Sequence, residues 1–181
     1  MTVSVDGTNG ITYPLGTGVM KVGPTLMTAQ NTTSGTSIDF TGIPAGVKRI
    51  TVMLNGVSFN ANANPQIQIG AGSIATSGYT SAAGDYVPTA NFANHTSGFV
   101  LAGATSSLGV AGNNLYGQIV ITNITGNTWC SSSNLSGYGS STNTATGAGT
   151  VTLSGQLDRL RITSTAGTAA FDAGSVNLLY E

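Results

Sequence analysis

Charge is nearly missing from this chain. Of its 181 residues, five are Lys or Arg and six are Asp or Glu, so charged side chains make up 6% of the sequence, against about a quarter in an ordinary soluble protein. A net charge of −1 gives no field that would steer DNA, RNA or an anionic lipid surface. Binding by phosphate neutralisation is excluded. Cysteine is limited to Cys130; no intrachain disulfide can form, and a thiolate zinc site has no second sulfur. Cys130 is read as a small, buried or half-buried apolar residue.

Titratable groups that could converge on a substrate are equally scarce. The acids are Asp6, Asp39, Asp85, Asp158, Asp172 and Glu181, and His95 is the one histidine. A glycosidase needs two carboxyl groups facing each other across a sugar. Asp158 and Asp172 would approach only if their strands pair, and Asp158 already adjoins Arg159 while Asp172 lies in the turn-like FDAGS. A serine triad would need His95 beside both a serine and a carboxylate, and there is no G-x-S-x-G elbow. The glycine-rich GTGVMKVG and GAGSIATSG lack the Lys-Ser/Thr and the strand-to-helix setting of a phosphate loop. The expectation is a protein with no catalytic residue, no metal and no cofactor.

Long apolar runs are absent too. None approaches the roughly 20 residues that span a bilayer, and MTVSVDGTNG has neither the basic nor the apolar part of a secretory signal. The chain is expected to be made in a cytoplasm and to involve no membrane insertion. Sequons at Asn31, Asn94, Asn123 and Asn134 arise from the abundance of Asn, Ser and Thr and carry no weight without such a signal. Helical periodicity is missing, and strong helix formers are few.

What is present is alternation. Hydrophobic residues form 40% of the chain, enough to favour folding over disorder. From Asn31 onward, strand-like runs are separated by Gly, Asn, Ser and Pro clusters, the spacing of an all-β sandwich or barrel. Ile50, Val52 and Leu54 alternate with Arg49, Thr51 and Met53; Ile67 and Ile69 alternate with Gln66 and Gln68; Leu160 and Ile162 alternate with Arg159 and Arg161. A period of two means one core face and one wet face per sheet, hence antiparallel pairing. Eight or nine such strands predict an antiparallel β-sandwich of jelly-roll type.

Residues 1–30, broken by DGTNG, YPLGTG and VGP, read as an extended arm with two short strands, used for attachment or oligomerisation; residues 31–181 form the sandwich domain. Ser81 to Gly98 reads as a long loop. Ser131 to Thr150, charge-free and of low complexity, reads as a long hairpin loop or a loosely patterned strand pair. Lys48 and Arg49 are expected at a sheet rim, where they would discourage edge pairing. A neutral polar surface suits glycans, because sugar C–H faces stack on aromatic rings while hydroxyls and amides hydrogen-bond the sugar. Trp129, Tyr138, Tyr86 and Tyr116 are the candidate glycan-binding residues, with core or subunit-interface positions as the competing reading.

VDGTNGITYPLGTG resembles the Asp-Gly-Thr-x-Gly-Ile-x-Phe/Tyr-Pro segment of tailed-bacteriophage fibre and tail proteins. TSGTSIDFTGIPAGVKRITVMLNGVS, with the later QIQIG, LDRLRIT and FDAGSVNLLYE, is similar to the β-sandwich domain that often ends such proteins. The resemblance implies a virion surface protein assembled in the host cytoplasm. It would be a homotrimer, bound to other virion proteins through its N-terminal arm, and its sandwich would meet neutral host surface glycan as a short tail-fibre or receptor-binding protein. An arm of this length spans at most about 100 Å, which also fits a head fibre or capsid decoration protein with a purely structural role.

Overall fold

The computed structural model describes residues 4–6, 10–12, 23–86, 91–103 and 108–181. Strands β1 (Ser4–Asp6) and β2 (Gly10–Thr12) pair as a small hairpin, the two short strands expected in the N-terminal segment; residues 13–22 of the expected arm lie outside the described residues. The remaining strands are β3 (Thr25–Leu26), β4 (Gln30–Asn31), β5 (Ser37–Thr41), β6 (Arg49–Phe59), β7 (Pro65–Ala71), β8 (Ser73–Ile74) and β9 (Thr80–Tyr86). They continue with β10 (Asn91–His95), β11 (Phe99–Val100), β12 (Asn114–Thr125), β13 (Thr128–Tyr138), β14 (Asn143–Thr152), β15 (Arg159–Ser164) and β16 (Phe171–Tyr180). No helix occurs among the described residues.

These strands make two antiparallel sheets packed face to face. The large sheet runs β10-β9-β14-β13-β12-β6-β16-β3, with β4 also on β16; the small sheet runs β11-β7-β15-β5, with β8 on β7. Eight of them, β5, β6, β7, β9, β10, β11, β14 and β15, follow a jelly-roll winding. Numbered in that order, the small sheet holds the first, eighth, third and sixth, and the large sheet the second, seventh, fourth and fifth. The hairpin β12–β13 is inserted between the second and seventh, and β16 is added outside the second.

Alternation explains which face each strand buries. Ile50, Val52 and Leu54 of β6, Ile119 and Ile121 of β12, and Leu160 and Ile162 of β15 all enter one shared core. Two glycines let β6 and β16 bulge toward each other: Gly56 has φ of 67° and Gly174 φ of 90°. A Cβ on Gly174 would overlap the Gly56 carbonyl, so the backbones meet where no side chain fits.

Close approach also governs the other end of the large sheet. The inward residues of β13 and β14 include Ser131, Ser133, Ala145, Gly147 and Gly149, all small. Over them lies β11: a Cβ on Gly147 would stand 3.0 Å from the Val100 carbonyl oxygen, and one on Gly149 3.0 Å from the Phe99 ring. The low-complexity stretch from Ser131 to Thr150 is therefore a paired hairpin whose inner face, apart from Leu135, is kept small where the second sheet seats against it.

Two sequence expectations change. The loop expected from Ser81 to Gly98 contains the β9–β10 hairpin, with Phe92 opposite Gly84 and Asn94 opposite Ala82. Small residues inside β9 hid its alternation. The chain joins the large sheet at Thr25, where Leu26 pairs with Leu179 and the Met27 N–H donates to the Leu178 carbonyl at 2.9 Å. Lys48 and Arg49 do not guard an edge, because β6 lies between β12 and β16. Arg49 forms an ion pair with Glu181, and Lys48 Nζ donates to Asn123 Oδ1 at 3.0 Å, tying the strand end to its two neighbours.

Tyr79 is the polar anchor of the core. Its ring is 2% exposed and meets Phe99 edge-on at 5.0 Å; its hydroxyl accepts from Ile69 N at 2.8 Å and donates to Ile69 O at 3.1 Å. Desolvation by burial, partly opposed by the bond from the Ile69 amide, pushes its pKa up from 10 to about 12.

Two outcomes are expected. Gly147→Val should cost about 1–3 kcal/mol through overpacking, whereas Ala148→Val, on the outer face of the same strand, should stay within about 0.5 kcal/mol; urea unfolding of both measures the contrast. The Tyr79 contribution is complete below the unfolded pKa of 10 and is lost as pH rises through the folded value near 12. Unfolding followed across that window should show a loss of about 2–3 kcal/mol, and Tyr79→Phe should remove that portion of the fall.

Candidate functional site

The cross-strand register sorts the exposed residues of the large sheet into rows. One row runs Tyr86, Thr144, Ser136, Tyr116, Asn55 across β9, β14, β13, β12 and β6. The next runs Phe92, Gly84, Thr146, Asn134, Gln118, Met53, Asn177 from β10 to β16. A third joins Asn94, Ala82, Ala148, Ser132, Val120 and Thr51. None of these three rows contains a charged side chain. Arg49 enters only in the fourth, opposite Thr122, where Glu181 neutralises it.

Aromatic rings gather at one end of this face. Tyr86 is 67% exposed, Tyr138 68%, Phe92 80% and Tyr116 42%. Tyr86 and Tyr116 share a row three strands apart, about 14 Å at the usual strand spacing. Tyr138 lies two residues beyond Ser136 on β13, roughly 7 Å further along. The Phe92 ring leans over Gly84, where a Cβ would come within 2.8 Å of two ring carbons. The Tyr116 ring leans over Gly56 in the same way, its hydroxyl 3.6 Å from where a Cβ would stand. Glycines in the neighbouring strands let both rings lie against the backbone. The Tyr86 hydroxyl is 3.4 Å from Thr146 Oγ1.

Of the four candidate residues, Tyr86, Tyr116 and Tyr138 share this surface. Trp129 drops out: its ring is 3% exposed, because the β13 register turns it inward among the core side chains, and a buried ring cannot stack on a sugar. Phe92 belongs to the surface as well, a residue that the sequence does not single out because the small residues around it give the pattern of a loop. The alternation in NFANH was its one signal.

The outer face of the small sheet is built differently. Arg161, Arg159 and Thr163 point outward from β15 between the buried Leu160 and Ile162. Arg161 donates to Asp39 from Nε and Nη2, both at 2.7 Å. Arg159 donates to Asp158 at 2.8 Å and 3.1 Å, and the Gly72 N–H adds a 3.1 Å bond to that carboxylate. These contacts hold the Asp158 carboxyl below its ordinary range. The hydrogen bond to Asp39 likewise raises the Arg161 pKa. Two shallow cavities of about 290 and 360 Å³ flank this array.

The catalytic constellations considered from sequence do not assemble. Asp158 precedes β15 in the small sheet, while Asp172 lies on β16 in the large one. His95 faces Ser81 across β10 and β9, but Ser81 Oγ accepts from Val100 N at 2.9 Å, and Asp85, on the same strand, is four residues away, about 13 Å. No group of three His, Cys, Asp or Glu that could hold a metal occurs among the described residues. No helix among them is long and apolar enough to cross a membrane.

Comparison with protein-family models, with curated proteins and with solved structures finds no match.

Proposed function

We propose that this chain is a binding module without catalytic activity, a tailed-phage virion surface protein that docks neutral host glycan through the outer face of its large sheet. The observation that carries the reading is the uncharged face itself, three rows deep, with Tyr86, Phe92, Tyr116 and Tyr138 exposed at one end. Hydroxyls and amides spaced by the strand repeat offer donors and acceptors to successive sugars, and the rings offer apolar platforms for their C–H faces. Such a flat site binds weakly per copy. A trimer would gain its hold by avidity. The sequence resemblance to phage fibre and tail proteins supplies the virion setting.

A structural decoration role is the second reading. It is favoured by Leu26 and Ile124, each 59% exposed, which would suit a permanent protein neighbour. Labelling of intact particles separates the two readings, because tail tip and capsid shell are distinct places.

Retention of the purified protein on an array of neutral polysaccharides tests the leading reading. Tyr116→Ala with Tyr138→Ala should lower retention about tenfold or more, on the scale of about 1–3 kcal/mol per stacked ring, without moving the melting temperature. Absence of retention by the unaltered protein sinks the reading.

A further inference from the structure

The small sheet carries a second surface that the glycan face does not use. Its two cavities meet at Arg161 and Thr76, which line both, so they form one trough over β5, β15 and β7. Gln66 and Gln68 form its floor, 2% and 5% exposed although they point away from the core. A turn at Ser97 straps them down: Gln68 Nε2 donates to the Ser97 carbonyl at 2.8 Å, and Ser97 Oγ donates to Gln66 Oε1 at 3.2 Å. Thr163 is held by its bond to the Thr36 carbonyl at 2.8 Å. The polar groups of the trough are thus fixed in place before any ligand arrives.

Their remaining capacity defines the ligand. A guanidinium has five N–H donors, and Arg161 and Arg159 each commit two to their carboxylates. Each Asp39 oxygen accepts one of these bonds and keeps a second lone pair. A vicinal diol matches this set: one hydroxyl donates to a carboxylate while its neighbour accepts from a guanidinium, both bonds charge-assisted. An anion fits poorly. The two Arg–Asp pairs cancel, and an incoming carboxylate would have to displace Asp39 from contacts of 2.7 Å. Each cavity, near 300 Å³, lies at the small end of ligand sites.

From this geometry we infer that the trough is a binding site for a single neutral sugar residue bearing a vicinal diol, separate from the large-sheet face and independent of its function. Arg161 and Asp39 grip the diol, and the strapped Gln66 and Gln68 set its orientation.

The test is saturation-transfer NMR titration of the full chain with the methyl glycosides of glucose, galactose and mannose, and with glucuronate as the anionic arm. At least one neutral glycoside should bind saturably. Asp39→Asn and Arg161→Gln should each weaken it about tenfold, the scale of a lost charge-assisted contact. Thr76→Met, an exposed loop change shared by both cavities, should block it sterically while leaving the melting temperature unchanged. Tyr116→Ala should leave it untouched, so that failure here and failure of the large-sheet reading are told apart. Saturable binding of none of the three glycosides, binding of glucuronate as tight as that of the neutral sugars, or binding unaffected by Thr76→Met would overturn the inference.

Discussion

The seating of β11 on β14 and β9 is the constraint on which the arrangement of this sandwich depends. Two sheets normally keep about 10 Å between them so that full side chains interdigitate. At this end a glycine Cβ would already stand 3.0 Å from Val100 O or the Phe99 ring. Where β11 covers them, three strands therefore carry only small inward residues, Ser131, Ser133, Ala145, Gly147, Gly149 and Ala83, while Trp129, Leu135 and Val151 bring bulk back further along β13 and β14. Hydrophobic burial is concentrated elsewhere, in the Ile, Leu, Val and Phe side chains of β6, β12, β7 and β15. The result is a core that is aliphatic and thick on one flank and thin on the other.

The few charges follow a matching logic. Arg49 with Glu181, Arg159 with Asp158 and Arg161 with Asp39 are all paired, and Lys48 is hydrogen-bonded to Asn123. Exposed pairs of this sort contribute little stability; their value lies in position. Two of the three sit on the small sheet, where they organise polar cavities, and the third closes the end of β6. The middle of the large sheet is left to uncharged residues, chiefly Thr, Ser, Asn, Gln and Ala, with Met53 and Val120 among them. The two outer surfaces of one sandwich therefore differ in kind, one flat and uncharged, the other grooved and built of fixed dipoles.

Much of this was legible in the sequence. The period of two in β6, β7 and β15 gave their inward faces residue by residue, and the absence of helical periodicity matched the all-β fold. Where inward residues shrink to Ala, Gly and Ser, hydropathy no longer alternates. That is why β9–β10 read as loop and why Ser131 to Thr150 stayed ambiguous. The site was harder. Trp129 was placed on a strand correctly, but which way it faces depends on register with β12 and β14, and no local pattern reports that. Gln66 and Gln68 point outward as expected, yet they are buried by a turn some thirty residues further along. The Asp39–Arg161 pair spans 122 residues and exists only because β5 and β15 are neighbours.

One feature of the topology bears on how the molecule is made. Strand β15 is central in the small sheet, and β16 lies toward one end of the large one between β6 and the short strands β3 and β4; each is flanked by strands that leave the ribosome far earlier. Until the last of these residues emerges, β5 and β7 have no common partner and one side of β6 is bare. At about 5–20 residues per second of synthesis, that interval lasts several seconds. In β5, β7 and β15 no two large apolar residues are adjacent, a pattern that lowers the aggregation tendency of strands left waiting for a partner.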